Sequence, residues 1–283
     1  MDLSIFADGL EARSKESIKV NDEDYTQDGL LYCGKCHTPK QKVVDILGKV
    51  YRPYVLCKCE SERQDREQAE RKQREFNERV RYLRKVAFPE KAMEYWTFAN
   101  DDLSNKELTE IGKRYVENFS QFRKDGKGLL LYGNVGTGKT FLACEIANAL
   151  IDKGYTVLVT NFARLSNTLQ GMYEGRHEYI DALNRHTLLV IDDLGIERRS
   201  EYMQEVVFNI IDGRYRSGLP MIITTNLTID EIKKPDNIGN MRIYDRIIER
   251  CFPIEVKGGS RRKKKVWETY DDMKNLLGIG EQK

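Results

Sequence analysis

Gly128-Leu129-Leu130-Leu131-Tyr132-Gly133-Asn134-Val135-Gly136-Thr137-Gly138-Lys139-Thr140 decides the fold. An apolar run of strand length enters a glycine-rich turn, and the helix-forming stretch 139–151 leaves it, so a GxxxxGK[ST] signature stands in its required strand-to-helix setting. Glycines at 133, 136 and 138 let the backbone bend until successive N–H groups face inward, and the helix behind adds its positive N-terminal end. Such a cradle suits the phosphates of a nucleotide. Gly133, Asn134, Val135, Gly136, Thr137, Gly138, Lys139 and Thr140 are therefore the candidate phosphate-binding residues. Lys139 is expected to reach the β- and γ-phosphates, and Thr140 to offer its hydroxyl to Mg2+.

The next strand-like run with chemistry at its end is 188–193, LLVIDD. Asp192 is the candidate for holding the Mg2+, usually through water, and Asp193 for orienting or deprotonating an attacking water. Adjacent residues on a strand point to opposite faces, so the two acids can serve different ends. Around these motifs apolar runs at 129–132, 156–160, 187–191, 221–225 and 253–256 alternate with helical patterns. Alternation of this kind predicts an α/β domain with a five-stranded parallel sheet and flanking helices. The expected helix 139–151 carries Leu142, Ile146 and Leu150 on one face, and 201–215 carries Val206, Ile210 and Ile211.

The ordered set GLLLYGNVGTGKT, VIDDLGIE, TTN at 224–226, RIYDRIIERC and GGSRRK resembles the DnaC/DnaI-type helicase loaders, a branch of the AAA+ ATPases, over about 97–264. IstB-type transposition helper ATPases share much of it. The resemblance implies a sensor amide at Asn226, able to bond both phosphate and attacking water; the residue type alone also suits a turn cap. It implies that Arg246, with Arg242 as the alternative one helical turn away, reaches into a neighbouring subunit's site, so that turnover depends on self-association into an ATP-dependent oligomer. It further implies a phosphate-facing arginine at Arg262 or Arg261, in a segment whose RRKKK also reads as a solvated or nucleic-acid-binding patch. The resemblance also implies that the helical stretch 161–185, with Phe162, Leu165, Leu169 and Met172 on one face, belongs to the insertion that contacts single-stranded DNA in that family; the same stripe suits core packing. One departure stands out: many AAA+ ATPases have Glu where this chain has Asp193, and the shorter acid predicts slow ATP hydrolysis, stimulated by assembly or DNA.

Upstream the composition changes. Residues 1–59 hold four of the six cysteines, with Cys33 and Cys36, then Cys57 and Cys59, on two turns twenty residues apart, a spacing suited to one tetrahedral Zn2+. Free thiols or redox pairs are the other readings, and His37 is a possible substitute ligand. KVVDIL and VYRPYVL, with Gly48 between them, predict a β-hairpin joining the two turns. A module this small needs such a staple. Residues 60–85 are mostly charge and predict a helix, with Ala69, Phe76, Val80 and Leu83 on a narrow stripe that suits either a solvated linker or a partner-binding seam. Cys144 and Cys251 read as core.

These divisions give a zinc-binding, partner-interacting module at 1–60, a charged helical linker at 61–96, an ATPase domain at 97–270 and a tail at 271–283. With 47 basic against 45 acidic residues, a net charge of +2 excludes a polycationic mode of DNA binding. No apolar run suits a signal peptide or membrane span, which predicts a cytoplasmic protein with no membrane partner. The resemblance implies a loader of a DnaB-type replicative helicase onto single-stranded DNA, switched by Mg-ATP, with the zinc end gripping the helicase. A transposition helper, or a zinc adaptor in which nucleotide is only a conformational ligand, are the competing expectations.

Overall fold

The computed structural model describes residues 14–15, 18–46, 48–195, 201–235, 237–260, 270, 273–274, 276–277 and 279. The chain divides into two units, Met1–Asn77 and Glu78–Lys283. The division falls inside helix α1 (Lys58–Ala87), between the boundaries expected at 60 and 96.

The first unit is built from two antiparallel hairpins. Strands β1 (Tyr25–Gln27) and β2 (Leu30–Tyr32) pair so that Tyr25 lies opposite Tyr32, and the two rings stack at 5.7 Å. Strands β3 (Val44–Ile46) and β4 (Lys49–Tyr51) form the hairpin expected around Gly48, which turns the chain at φ 79°. Among the described residues of this unit, the buried apolar side chains are Cys33, Cys57 and Tyr51. A further enclosed group is charged. Lys40 meets Asp24 at 2.5 Å, with the two side chains 3% and 1% exposed. Asp24 also accepts hydrogen bonds from the backbone N–H groups of Asn21 and Gly34. Desolvation works against its charge, but the Lys40 ammonium and these N–H donors outweigh it and hold the carboxyl below its usual range.

In the second unit, β5 (Gly128–Tyr132), β6 (Val157–Asn161), β7 (Leu188–Leu194), β8 (Met221–Thr225) and β9 (Cys251–Glu255) form one sheet, all parallel, in the order β6-β7-β8-β5-β9. All five expected strands are present, within a few residues of their expected bounds. Strand periodicity sends alternate side chains to opposite faces, and each face meets its own helices. Leu129, Leu131, Leu188, Val190 and Ile222 pack with α2 (Lys106–Glu117), α3 (Phe119–Asp125) and α4 (Lys139–Asp152), joined by Leu83 and Ala87 from the end of α1. Leu130, Leu189, Ile191 and Ile223 pack with α5 (Phe162–Gln170), α6 (Arg176–Asn184), α7 (Glu201–Ser217), α8 (Ile229–Lys233) and α9 (Ile238–Arg250). Pro253, which lacks an N–H for the ladder, lies on the edge strand β9.

Phe162, Leu165 and Leu169 are at most 2% exposed, and Met172 packs beside them in the second core. The stripe on 161–185 is therefore core: Phe162, Leu165 and Leu169 lie on α5 and Met172 just past its end, while α6 fills the rest of the stretch. Cys144 and Cys251 are buried as expected. Arg214, on α7, is fully buried and donates to the carbonyls of Asn184, His186, Thr187 and Pro220, tying the chain entering β7 to the chain entering β8. Burial pulls its pKa down to about 9, still charged at neutral pH.

Candidate functional site

Strand β5 delivers the chain into the loop Gly133–Lys139, and α4 begins at its end. Gly133, Gly136 and Gly138 have φ of 142°, 83° and 99°, conformations that a side chain opposes. A methyl group on Gly136 would come within 2.3 Å of the Ser260 hydroxyl oxygen, so the segment after β9 passes directly over the loop. Val135 lies 63% exposed at the loop tip, whereas Lys139 is 5% exposed.

Lys139 Nζ donates to the carbonyls of Gly133 at 2.9 Å and Asn134 at 2.8 Å, and to Asn226 Oδ1 at 2.8 Å. The loop lysine and the expected sensor amide therefore meet. Thr140 Oγ1 donates to Asp192 Oδ1 at 2.8 Å, joining the two groups expected around Mg2+. Burial raises the Asp192 carboxyl above its ordinary range; the hydroxyls of Thr224 and Thr140 pull it down, the charge of Asp193 pushes it up, and Lys139 opposes that push. A carboxylate so deprived of water gains more from a nearby dication than an exposed one does.

The end of β7 holds a feature the sequence reading missed. Ile191 pairs with Ile223 and Leu194 with Thr225, so Asp192 and Asp193 together stand opposite Thr224, in a β-bulge. Asp193 takes φ 58°. Thr224 secures the bulge with both capacities of its hydroxyl, accepting from the Asp193 N–H at 2.9 Å and donating to Asp192 Oδ1 at 2.6 Å. Asp192 turns toward Thr140, and Asp193 is left exposed. Thr224 and Thr225 are fully buried at the end of an apolar strand, so the polar pair in MIITT was the available signal.

The other expected residues are placed unevenly. Arg246 lies on α9, paired through Nε with Asp212 of α7 at 2.8 Å; Arg242 is exposed one turn earlier. Arg261 and Arg262 lie outside the described residues.

In the first unit, Cys33, Cys36, Cys57 and Cys59 bring their four sulfur atoms within 4.8 Å of one another. A tetrahedral Zn2+ with bonds of about 2.3 Å has sulfur–sulfur edges of about 3.8 Å. The Cys33–Cys59 separation is 3.7 Å and the Cys57–Cys59 separation 3.5 Å. Donor type, number and spacing all fit Zn2+. The thiols resist shared ionisation: neighbouring Cys57 and Cys36 push Cys59 up to about 12, while at Cys36 burial opposes ionisation but hydrogen bonding led by Thr38 prevails and draws it down to about 5. A dication resolves this conflict. His37 is outside the quartet, with Nδ1 3.3 Å from the Tyr25 hydroxyl. Gly34 is obligatory between the first two ligands, since a methyl group there would meet the Glu23 carbonyl oxygen at 2.0 Å.

Against known proteins, the family model for IstB-like ATP binding proteins matches residues 62–269. The replicative helicase loader DnaI of Bacillus subtilis (strain 168) is 29% identical over 182 residues, 59% of this chain and 58% of the loader. The replicative helicase loader DnaC of Escherichia coli (strain K12) is 29% identical over 141 residues, 48% of this chain and 54% of the loader. The chain thus spans about half the length of the curated relatives it matches. A crystal structure of DnaI superimposes with a TM-score of 0.52 at 26% identity, over 63% of this chain and 98% of that one. The α/β core with its five parallel strands is shared with that structure.

Proposed function

From the premise that this chain belongs to the IstB-like ATP-binding proteins, we propose that it is a Mg-ATP-dependent loader that places a DnaB-type replicative helicase on single-stranded DNA. The observation that carries the reading is the convergence of Lys139 with Asn226, and of Thr140 with Asp192, at the ends of β5, β7 and β8. Similarity to two helicase loaders directs that nucleotide chemistry toward replication.

In this reading the loop amides of Gly133–Thr140 cradle the phosphates, and Lys139 neutralises the β- and γ-oxygens. Thr140 and Asp192 hold Mg2+, which would screen the charge that develops on the phosphate oxygens. Asp193, facing solvent, orients the attacking water, and Asn226 bonds the γ-phosphate. Arg246 completes the site of an adjacent subunit, and Arg262 is the second arginine proposed to serve the phosphates. Hydrolysis is slow until subunits assemble. The Zn2+ of the cysteine module is structural, and that module grips the helicase in the cytoplasm.

A second reading, a transposition helper that binds duplex DNA and a transposase, draws on the insertion-sequence origin of the family model. Loading the full chain with a DnaB-type helicase and a closed single-stranded circle separates the two. We expect ATP-dependent retention of helicase on the circle and phosphate release stimulated by the complex, both abolished by Lys139→Ala. Helicase retention indifferent to ATP, or no complex with the helicase at all, would sink the loader reading.

A further inference from the structure

Arg246 does not wave freely from α9. Its Nε donates to Asp212 Oδ1 at 2.8 Å, and its Nη1 donates to the carbonyl of Arg242 at 3.0 Å. The guanidinium carbon lies 4.8 Å from the centroid of the Phe208 ring and 5.8 Å from that of Tyr215. Phe208, Asp212 and Tyr215 are spaced i, i+4 and i+7 on α7, so a single face of that helix supplies both aromatic contacts and the carboxylate. Two of the three guanidinium nitrogens are fixed, and among the described residues Nη2 takes no acceptor. The side chain of Arg246 remains 26% exposed, while that of Asp212 is only 12% exposed.

We propose that Asp212 is the positioning residue for Arg246: it anchors the back of the guanidinium so that the outward nitrogen is already aimed when a second copy of this chain presents its bound nucleotide. This rests on the reading of Arg246 as the arginine donated between subunits. An unanchored arginine carries rotamer freedom that must be surrendered on contact. Holding it beforehand removes that loss from the encounter. The anchor does not cancel the charge it presents. Asp212 Oδ2 also binds Arg216 Nε at 2.8 Å, so one carboxylate stands between two guanidiniums and the trio keeps a net +1. Arg216 is 76% exposed along its side chain and preserves this balance from the solvent side. The γ-phosphate of a neighbour's nucleotide is the ligand chemistry that suits a fixed planar donor with residual positive charge.

The test compares full-length variants assembled with helicase and single-stranded DNA. Arg246→Ala is expected to lower kcat about 10³-fold. Asp212→Asn is expected to lower it about tenfold with KM for ATP unchanged, a misplacement-sized effect. Asp212→Glu should restore part of the loss, and Asp212→Asn should add nothing in an Arg246→Ala background. The defect must also act across the subunit boundary. Lys139→Ala subunits carrying Asp212→Asn should slow wild-type neighbours more than Lys139→Ala subunits alone. Normal hydrolysis by Arg246→Ala overturns the donated-arginine reading and this proposal with it. A defective Arg246→Ala beside a normal or faster Asp212→Asn, or a further loss in the double variant, overturns the positioning role alone.

Discussion

The cysteine module and the α/β domain solve the same problem, ordering a chain against its conformational entropy, by different means. The domain buries alternating faces of five strands under two sets of helices, and Leu130, Ile222 and Ile223 are all at 0% exposure. Burial of such side chains contributes about 1.5–3 kcal/mol each. Among its described residues the module buries two cysteines, one tyrosine and an ion pair. A buried ion pair roughly breaks even against desolvation, so among the described residues the thiol quartet is the strongest candidate source of the module's order. The contrast predicts that stability in this chain is locally sourced, so that each unit can be struck without the other.

The largest effect should follow metal removal. A strong chelator should erase amide protection in both hairpins of the module while protection in β5, β7 and β8 stays intact, as followed by hydrogen exchange. Protected hairpins after complete chelation would break the comparison. The converse strike is Leu130→Ala, on the central part of β5, which should cost the domain about 3 kcal/mol in denaturant melts and leave the module's zinc stoichiometry at one. A loss of zinc in that variant would mean the units are energetically joined.

The smallest effect sharpens the picture inside the domain. Burial raises the Asp192 carboxyl, so the folded state binds its proton more tightly than the unfolded chain does. Without nucleotide, this group's contribution to stability is present below the ordinary carboxylate pKa and lost as pH rises through the folded value. Asp192→Asn should therefore melt slightly higher than the parent at neutral pH, the gap closing as pH falls, while the stabilisation by Mg-ATP disappears. Thermal melts that place this variant below the parent at neutral pH would contradict the desolvation argument.

The sequence disclosed what depends on local pattern. The glycine spacing, the apolar run before it, the Asp pair and the five strands follow from steric and periodic rules that operate within a few residues. The cysteine turns were legible for the same reason. What remained hidden depends on partners distant in the chain. The bulge at Asp192 and Asp193 is fixed by Thr224, thirty-odd residues away. Lys40 is paired by Asp24 and the Lys19 carbonyl, both well upstream, and Arg214 is satisfied by carbonyls of two other segments, 184–187 and Pro220. The stripe at Phe162 to Met172 was ambiguous because one amphipathic pattern serves equally for packing and for contact with another molecule.

The backbone at Asp193 has one more consequence. A φ of 58° is a conformation in which Asn and Asp are enriched and bulkier side chains are disfavoured. Glutamate, the residue many AAA+ ATPases carry at the matching position, would strain this bend, whereas aspartate is at home in it. The shorter acid is thus the spelling that the local geometry favours, and lengthening it works against the bend that Thr224 holds in the strand.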